Sequence, residues 1–252
     1  MCMNEKVVLI TGAGGGIGQG VARAFASEGA KLVLTDISLN NLTTLKEELE
    51  YKYNIEVLIV AADGTKEKEA NAVIENAIHS FQKLDAVINI AQASKSGTLL
   101  VDHSREDFDL AIMTGLYATF FYMKASFPYL KETKGCVINF ASAAGFSGEI
   151  GQASYAAAKE GIRGMSRVAA NEWGPFGIRV NIICPLALTP RLEQWKEEYP
   201  DLYEKTISNI PLQHFGDPEK NIGRTCVFLA SEDGNYITGE TISVQGGVGL
   251  RP

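Results

Sequence analysis

Seven short apolar runs recur along the chain with helical patterns between them, and this alternation constrains the fold more than any other feature. The runs are VVLIT (7–11), KLVLTD (31–36), EVLIVAAD (56–63), LDAVINI (84–90), GCVINFAS (135–142), IRVNIICP (178–185) and ETISVQ (240–245). They are continuous and rich in β-branched residues rather than alternating, as expected of strands buried on both faces. Helical patterns cover 17–28, 39–50, 66–81, 105–131 and 154–173. Ser38 is placed to cap the second, GPFG at 174–177 stops the fifth, and Asp217-Pro218-Glu219 opens a last one. Such strand–helix alternation predicts βαβ units, and so an α/β fold with a doubly wound, Rossmann-type parallel sheet of about seven strands. No repeat, low-complexity tract or linker divides the 252 residues, so 1–252 reads as a single domain. The exception is the long, Pro-interrupted, aromatic segment 186–216, expected to form a lid over the substrate.

Charge narrows the partners. The net charge is −7 and Lys and Arg form no block, which argues against nucleic acid or an anionic membrane as a partner. No segment is long and apolar enough to span a bilayer, and MCMNEKVVLITG does not resemble a signal peptide. Cys2, Cys136, Cys184 and Cys226 are scattered without a CxxC pair, so separate reduced thiols in a cytoplasmic protein are expected. His79, His103 and His214 lack metal-ligand spacing, and no metal is expected.

Two local patterns carry chemistry. TGAGGGIG (Thr11–Gly18) follows the first strand and opens the first helix. Glycines there permit a tight turn, let backbone N–H groups approach a pyrophosphate, and aim a helix N-terminus at it. Gly12, Gly16, Ile17 and Gly18 are the candidate contacts. Asp36 ends the second strand, where a carboxylate accepts from both ribose hydroxyls of an adenosine and repels a 2′-phosphate. NAD is therefore the expected cofactor. Asp63, ending the third strand, either meets the adenine edge or holds a turn. The second pattern is Tyr155-Ala-Ala-Ala-Lys159, which places both side chains on one helix face. The ammonium is expected to lower the Tyr155 pKa so that it exchanges a proton with an alcohol or carbonyl. Ser142 ends the fifth strand, at the sheet edge where ligands bind, with a hydroxyl for the substrate oxygen.

Together these residues resemble the short-chain dehydrogenase/reductase family in its ketoreductase-like branch. NIAQ (89–92), RVNIICP (179–185), Thr189 and ITGETISVQGG (237–247) extend the resemblance over nearly the full length. It implies reversible hydride transfer between a nicotinamide and a small or medium, largely apolar secondary alcohol or ketone. It implies Tyr155 as acid/base, Ser142 as orienter of the substrate oxygen, and Lys159 as ligand of the nicotinamide ribose. Asn89, Ala91, Pro185 and Thr189 join the cofactor contacts by the same resemblance, and a homotetramer through the two long helices is implied.

Three departures bear on activity. Gln92 and Leu186 replace glycines usual in the family, placing side chains near the cofactor's reactive end. Gly115 stands where an Asn is usual, within EDFDLAIMTGLYATFF (106–121), at a helical cost of roughly 1 kcal/mol relative to Ala. Either a water takes the missing amide's place or a neighbouring helix packs close. The departures also leave open a non-catalytic, redox-sensing dinucleotide-binding protein, which intact Ser142, Tyr155 and Lys159 oppose.

Overall fold

A computed structural model describes residues 1–248. Seven strands form one parallel sheet in the order β3-β2-β1-β4-β5-β6-β7. They are β1 (Val7–Thr11), β2 (Lys31–Asp36), β3 (Val57–Ala61), β4 (Ala86–Asn89), β5 (Cys136–Phe140), β6 (Arg179–Pro185) and β7 (Thr241–Val244). The expected sheet is present, its strands trimmed by a residue or two where the apolar runs leave the pleat. The chain end beyond Val248, included in the expected domain, lies outside the described residues.

Why the runs are continuous is visible in β1. Val8 and Ile10 join one core with Val21 and Phe25 of α1 (Gly16–Ser27) and Leu42, Leu45 and Leu49 of α2 (Leu39–Tyr53). Val7 and Leu9 join the opposite core with Val73 and Ile74 of α3 (Glu67–Phe81). Both faces of the strand are covered, so Val7 to Ile10 are all apolar, and the one polar residue, Thr11, stands at the carboxyl end with its hydroxyl hydrogen-bonded. The strands run parallel, but the order of their addition reverses between β1 and β4, and this opens a crevice at their carboxyl ends, the usual ligand position in such sheets. The Thr11 hydroxyl secures the crevice by accepting from Ile90 N at 3.1 Å and Ala91 N at 3.2 Å.

The helix expected over 105–131 is interrupted. It comprises α4 (Arg105–Ala111), a π-helical turn (Ile112–Tyr117) and α5 (Ala118–Thr133). The loop after β4 docks on the interruption. Ala93 N donates to Thr114 Oγ1 at 3.0 Å, Thr114 Oγ1 donates to Ala93 O at 2.9 Å, and Gln92 Nε2 donates to Ala111 O at 3.0 Å. These bonds compete with the regular helical ladder, and the wider turn accommodates them. Two further helices complete the site's frame: α6 (Ala144–Ser147) and α7 (Ala153–Trp173), the long helix carrying Tyr155 and Lys159.

The segment after β6 folds into α8 (Pro190–Glu198) and α9 (Pro200–Ser208). Tyr203, Ile210 and Phe215 are buried as a separate small core, with Trp195, Leu188 and Leu192 against them. The aromatics of 186–216 thus close their own cap, while Tyr199 is exposed. The last helix, α10 (Arg224–Ala230), follows a second π-helical turn (Pro218–Gly223), whose first amides, Glu219 N and Lys220 N, donate to Asp217 Oδ1.

Candidate active site

The glycine turn leaves β1 at Gly12, whose φ of +67° favours glycine. A Cβ there would lie 2.9 Å from Ala91 Cα and N, so only a bare backbone lets the turn approach the β4 loop. Gly14 is equally constrained. Its N–H donates to Asp36 Oδ2 at 3.0 Å, and a Cβ would stand 2.7 Å from Asp36 Cγ. Asp36 Oδ1 accepts from Ser38 N at 3.0 Å, and the separate hydroxyl of Ser38 caps α2. Asp36 is therefore held at the crevice by two backbone amides.

A cavity of about 400 Å³ runs along this crevice, lined by Gly12, Ile17, Asp36, Asp63, Ala91 and Thr189 among others. Asp63 also holds a turn: its Oδ1 accepts from Thr65 Oγ1 at 2.7 Å and Thr65 N at 3.0 Å, and these bonds lower its pKa. Gly16 (φ +49°) opens α1, and a Cβ there would lie 3.7 Å from Thr189 Cγ2, so Thr189 closes over the turn. Gly16 stands beside the wall without lining it, and two further expected contacts are also not in the wall. Gly18 serves packing, since a Cβ there would overlap the Gly12 carbonyl oxygen. Asn89 is buried in an inter-strand ladder: its Nδ2 donates to Asn139 Oδ1 at 2.8 Å, and Asn139 Nδ2 donates to Ser166 Oγ of α7 at 2.8 Å.

A second cavity, of about 370 Å³, gathers the candidate acid/base residues. Tyr155, Lys159, Pro185, Phe140 and Arg191 line it, and Ile17, Ile90, Gln92 and Ala93 are walls common to both cavities. Lys159 is buried, and its Nζ donates to Phe140 O at 2.8 Å. Burial pulls its pKa down to about 8. Tyr155 departs from expectation in the protein alone. Burial raises its pKa, and the hydrogen bond with Ser142 offsets this only in part. The Lys159 ammonium sits 5.5 Å from the Tyr155 ring centroid, so it stands against the ring. Ser142 Oγ accepts from Ala144 N at 3.2 Å, which leaves its own proton free to donate. Tyr155, Ser142 and Lys159, drawn from α7 and the end of β5, do converge.

Of the two inserted side chains, Leu186 turns away from the cofactor side, and Gln92 lines both cavities with its amide docked on the helix behind it. Leu186 packs into the cap core, and its backbone N pairs with Val244 O at 2.9 Å. Gln92 lodges its amide in the notch at Gly115. A Cβ on Gly115 would overlap Gln92 Oε1 and lie 2.6 Å from Cδ and 2.8 Å from Nε2. The space at Gly115 therefore belongs to a protein side chain. Neither the expected water nor a close neighbouring helix occupies it. The close helix approach is made instead at Gly161, where a Cβ would lie 2.8 Å from Leu116 Cδ2. Among the described residues no cluster of His, Cys, Asp or Glu could hold a metal ion.

Residues 12–249 match the family model described as enoyl-(acyl carrier protein) reductase. The chain is 53% identical to a 12alpha-hydroxysteroid dehydrogenase of Clostridium sp., over 98% of each chain. The chain belongs to the short-chain dehydrogenase/reductase family. It is 33% identical to the levodione reductase of Leifsonia aquatica over 96% of this chain and 94% of that one. The crystal structure of a levodione reductase superposes with a TM-score of 0.90 at 31% identity, over 97% of this chain and 98% of that one. That of an NAD+-bound xylitol dehydrogenase superposes with a TM-score of 0.92 at 25% identity, over 98% and 100%. The protein is a short-chain oxidoreductase acting on an alcohol or ketone.

Sequence reasoning missed Gly14 as the amide partner of Asp36, Arg191 at the second cavity, and the meeting of Gln92 with Gly115. The first was legible as a glycine inside the motif. The last carried a signal in two departures, but nothing in the sequence pairs them.

Proposed function

We propose that the protein is an NAD(H)-dependent oxidoreductase that interconverts a hydroxysteroid, or a similarly large apolar secondary alcohol, and its ketone. One observation carries the reading: Tyr155 and Lys159 line a cavity that shares a wall with the crevice holding Asp36. The residues fit a dinucleotide. The bare backbone at Gly12 and Gly14 makes a cradle that any Cβ would fill, and the Asp36 carboxylate, hydrogen-bonded only to backbone amides, suits ribose hydroxyls rather than a 2′-phosphate. Gly12, Gly16, Ile17, Asp36, Asp63, Ala91, Pro185 and Thr189 would hold it, with Asn89 and Gly18 supporting the wall from behind. When bound, the nicotinamide supplies hydride acceptance and donation.

The chain's own groups handle the proton. Ser142 donates to the substrate oxygen and orients it. Tyr155 exchanges the proton with that oxygen. Lys159, held by Phe140 O, places positive charge beside Tyr155 and favours its ionised form. Leu186 is packed into the cap and Gln92 is tied back to Ala111 O as part of the cavity wall, so neither departure fills the space between Asp36 and Tyr155. The steroid assignment draws on the resemblance to the Clostridium dehydrogenase. Exposed Tyr117, Phe120 and Val168 on the two long helical segments support a homotetramer. No described helix is long and apolar enough to cross a membrane, and a cytoplasmic location belongs to the same proposal. A panel of hydroxysteroids, polyols and simple secondary alcohols, assayed by NADH absorbance, tests the reading. Turnover is expected with at least one hydroxysteroid. Turnover of short alcohols alone would overturn the steroid assignment, and turnover of none would overturn the enzyme.

A further inference from the structure

Ser154 is wholly buried in the first turn of α7, one residue before Tyr155. Among the described residues its hydroxyl bonds to one side chain, His103, whose Nε2 lies 3.0 Å away. The other ring nitrogen, Nδ1, lies 3.3 Å from Leu99 O. A carbonyl only accepts, so Nδ1 carries the proton of the neutral ring and Nε2 is bare. Ser154 therefore donates to Nε2. When the ring is protonated, Nε2 carries a hydrogen of its own and Ser154 Oγ must turn to accept it. The Ser154 proton, sealed in the interior, then loses the one acceptor it had. The bond is matched to the neutral imidazole.

His103 also closes the loop that starts at the second cavity. Ala93 and Ser94 line that cavity with Tyr155. The loop then crosses the entry to α7, where Gly97 N donates to Gly151 O at 2.9 Å and Ser96 Oγ donates to Gln152 Oε1 at 3.1 Å. Leu99, Leu100 and Val101 follow as exposed residues, and His103 is the last tie before α4. Phe108 of α4 meets its ring edge-on, with centroids 6.4 Å apart. Several charged groups surround the ring. Asp107 of α4 acts on it and is bridged to Lys95 at 2.9 Å. Asp102 and Arg105 flank it along the chain, and Glu149 stands ahead of α7 within electrostatic reach of Tyr155.

We infer that His103 is a positioning residue for Tyr155, whose neutral ring latches the cavity loop to the first turn of α7 through Ser154 and whose protonation releases it. The inference rests on the reading of Tyr155 as acid/base. Ketone reduction isolates the effect. Burial raises the Tyr155 pKa, so the phenol stays protonated through neutral pH. Burial pulls the Lys159 pKa down only to about 8, so the ammonium stays charged below that. Both hold one form between about pH 5.5 and 7, where an imidazole ordinarily titrates.

The test uses the whole protein with a 12-ketosteroid and NADH, and the variants His103→Leu, His103→Gln, Ser154→Ala and the pair His103→Leu with Ser154→Ala. Wild-type kcat should fall about tenfold between about pH 7.5 and 5.5. At the higher pH His103→Leu and Ser154→Ala should each lower kcat about fivefold, leave the KM for NADH within about twofold, and flatten that fall. The pair should lose no more than either alone. His103→Gln presents an oxygen to Ser154 at every pH, so it should keep most of kcat and lose the acid fall. Hydrogen exchange is read on the protein alone and corrected for intrinsic rates. It should show residues 156–163 less protected at the lower pH in the wild type, and equally unprotected at both in Ser154→Ala. The inference fails if His103→Gln keeps the acid fall, or if the variants shift only the melting temperature with superimposable pH profiles. It fails too if the losses of the pair add. Failure of the underlying reading looks different: Tyr155→Phe would retain turnover while the exchange pattern stood.

Discussion

The two sides of the site are built differently. The cofactor side comes from one continuous stretch, in which β1, the glycine turn, α1 and β2 supply Gly12, Gly14, Gly16, Ile17 and Asp36 within 36 residues. The second cavity is assembled from distant pieces: Phe140 of β5 with Ser142 after it, Tyr155 and Lys159 on α7, and Gln92 after β4, docked on the π-helical turn at Gly115. On the first side the lining residues come from one stretch, and only Gly12 and Gly16 meet distant neighbours, Ala91 and Thr189. On the second the residues meet only because the sheet brings them together, so they are expected to be coupled.

Substitutions can break or sharpen that contrast. The largest effect should come from Tyr155→Phe, which keeps the ring and removes the transferable proton. Turnover should fall by about 10²-fold or more while the affinity for NADH, followed by fluorescence titration, is retained. Unchanged turnover would move the acid/base elsewhere.

Lys159→Met should abolish turnover without a matching loss of stability. The folded pKa of Lys159 lies near 8, below the unfolded value of 10.5. The unfolded chain therefore binds the extra proton between those values, and the wild type gains stability as pH rises through them. Below about pH 8 the buried ammonium carries its full cost, up to about 3 kcal/mol from the difference in pKa. Lys159→Met should thus melt no lower than the wild type at pH 7, and the wild type should gain on it towards pH 10. Melting curves at the two pH values decide this, and a Lys159→Met deficit that is larger at pH 7 would show the sign to be wrong.

On the cofactor side, NAD(H) should bind at least about tenfold tighter than NADP(H), a difference of 1.4 kcal/mol. Asp36→Asn should shrink that ratio without disturbing the pH profile of kcat. Parallel titrations measure both quantities, and a displaced profile would blur the contrast between the two sides.

The smallest effect is expected in the cap. Phe215→Leu should cost about 1 kcal/mol or less, because it keeps an apolar group in a separate small core. It should raise KM for a large substrate and leave NADH affinity unchanged. Hydrogen exchange should show α8 and α9 opening before β1 and β4, and equal protection would merge the cap with the main core.

How much was legible follows the same division. The strands were readable because burial on both faces demands unbroken apolar runs, as Val7 to Ile10 show. Asp36, the glycine turn and the Tyr155–Lys159 spacing were readable because each depends on nearby chain. Gly18 is a candidate cofactor contact through the glycine motif and Asn89 through the family resemblance. The structure places both behind the cavity wall, one in a ladder to Asn139 and one against the Gly12 carbonyl. The rise in the Tyr155 pKa was not legible, because desolvation depends on what surrounds the phenol and not on its spacing from Lys159.

The sequence by itself determined the parallel sheet, the order of its helices and the crevice for a dinucleotide, and it singled out Ser142, Tyr155 and Lys159 as candidates, since periodicity and short spacing act along the chain. Only the tertiary structure decided that Leu186 packs into the cap, that the long helix opens into a π-helical turn, and that Gln92 and Gly115 are one feature. Close packing sets those outcomes: one volume admits one side chain, and which segment supplies it is settled only when the segments meet.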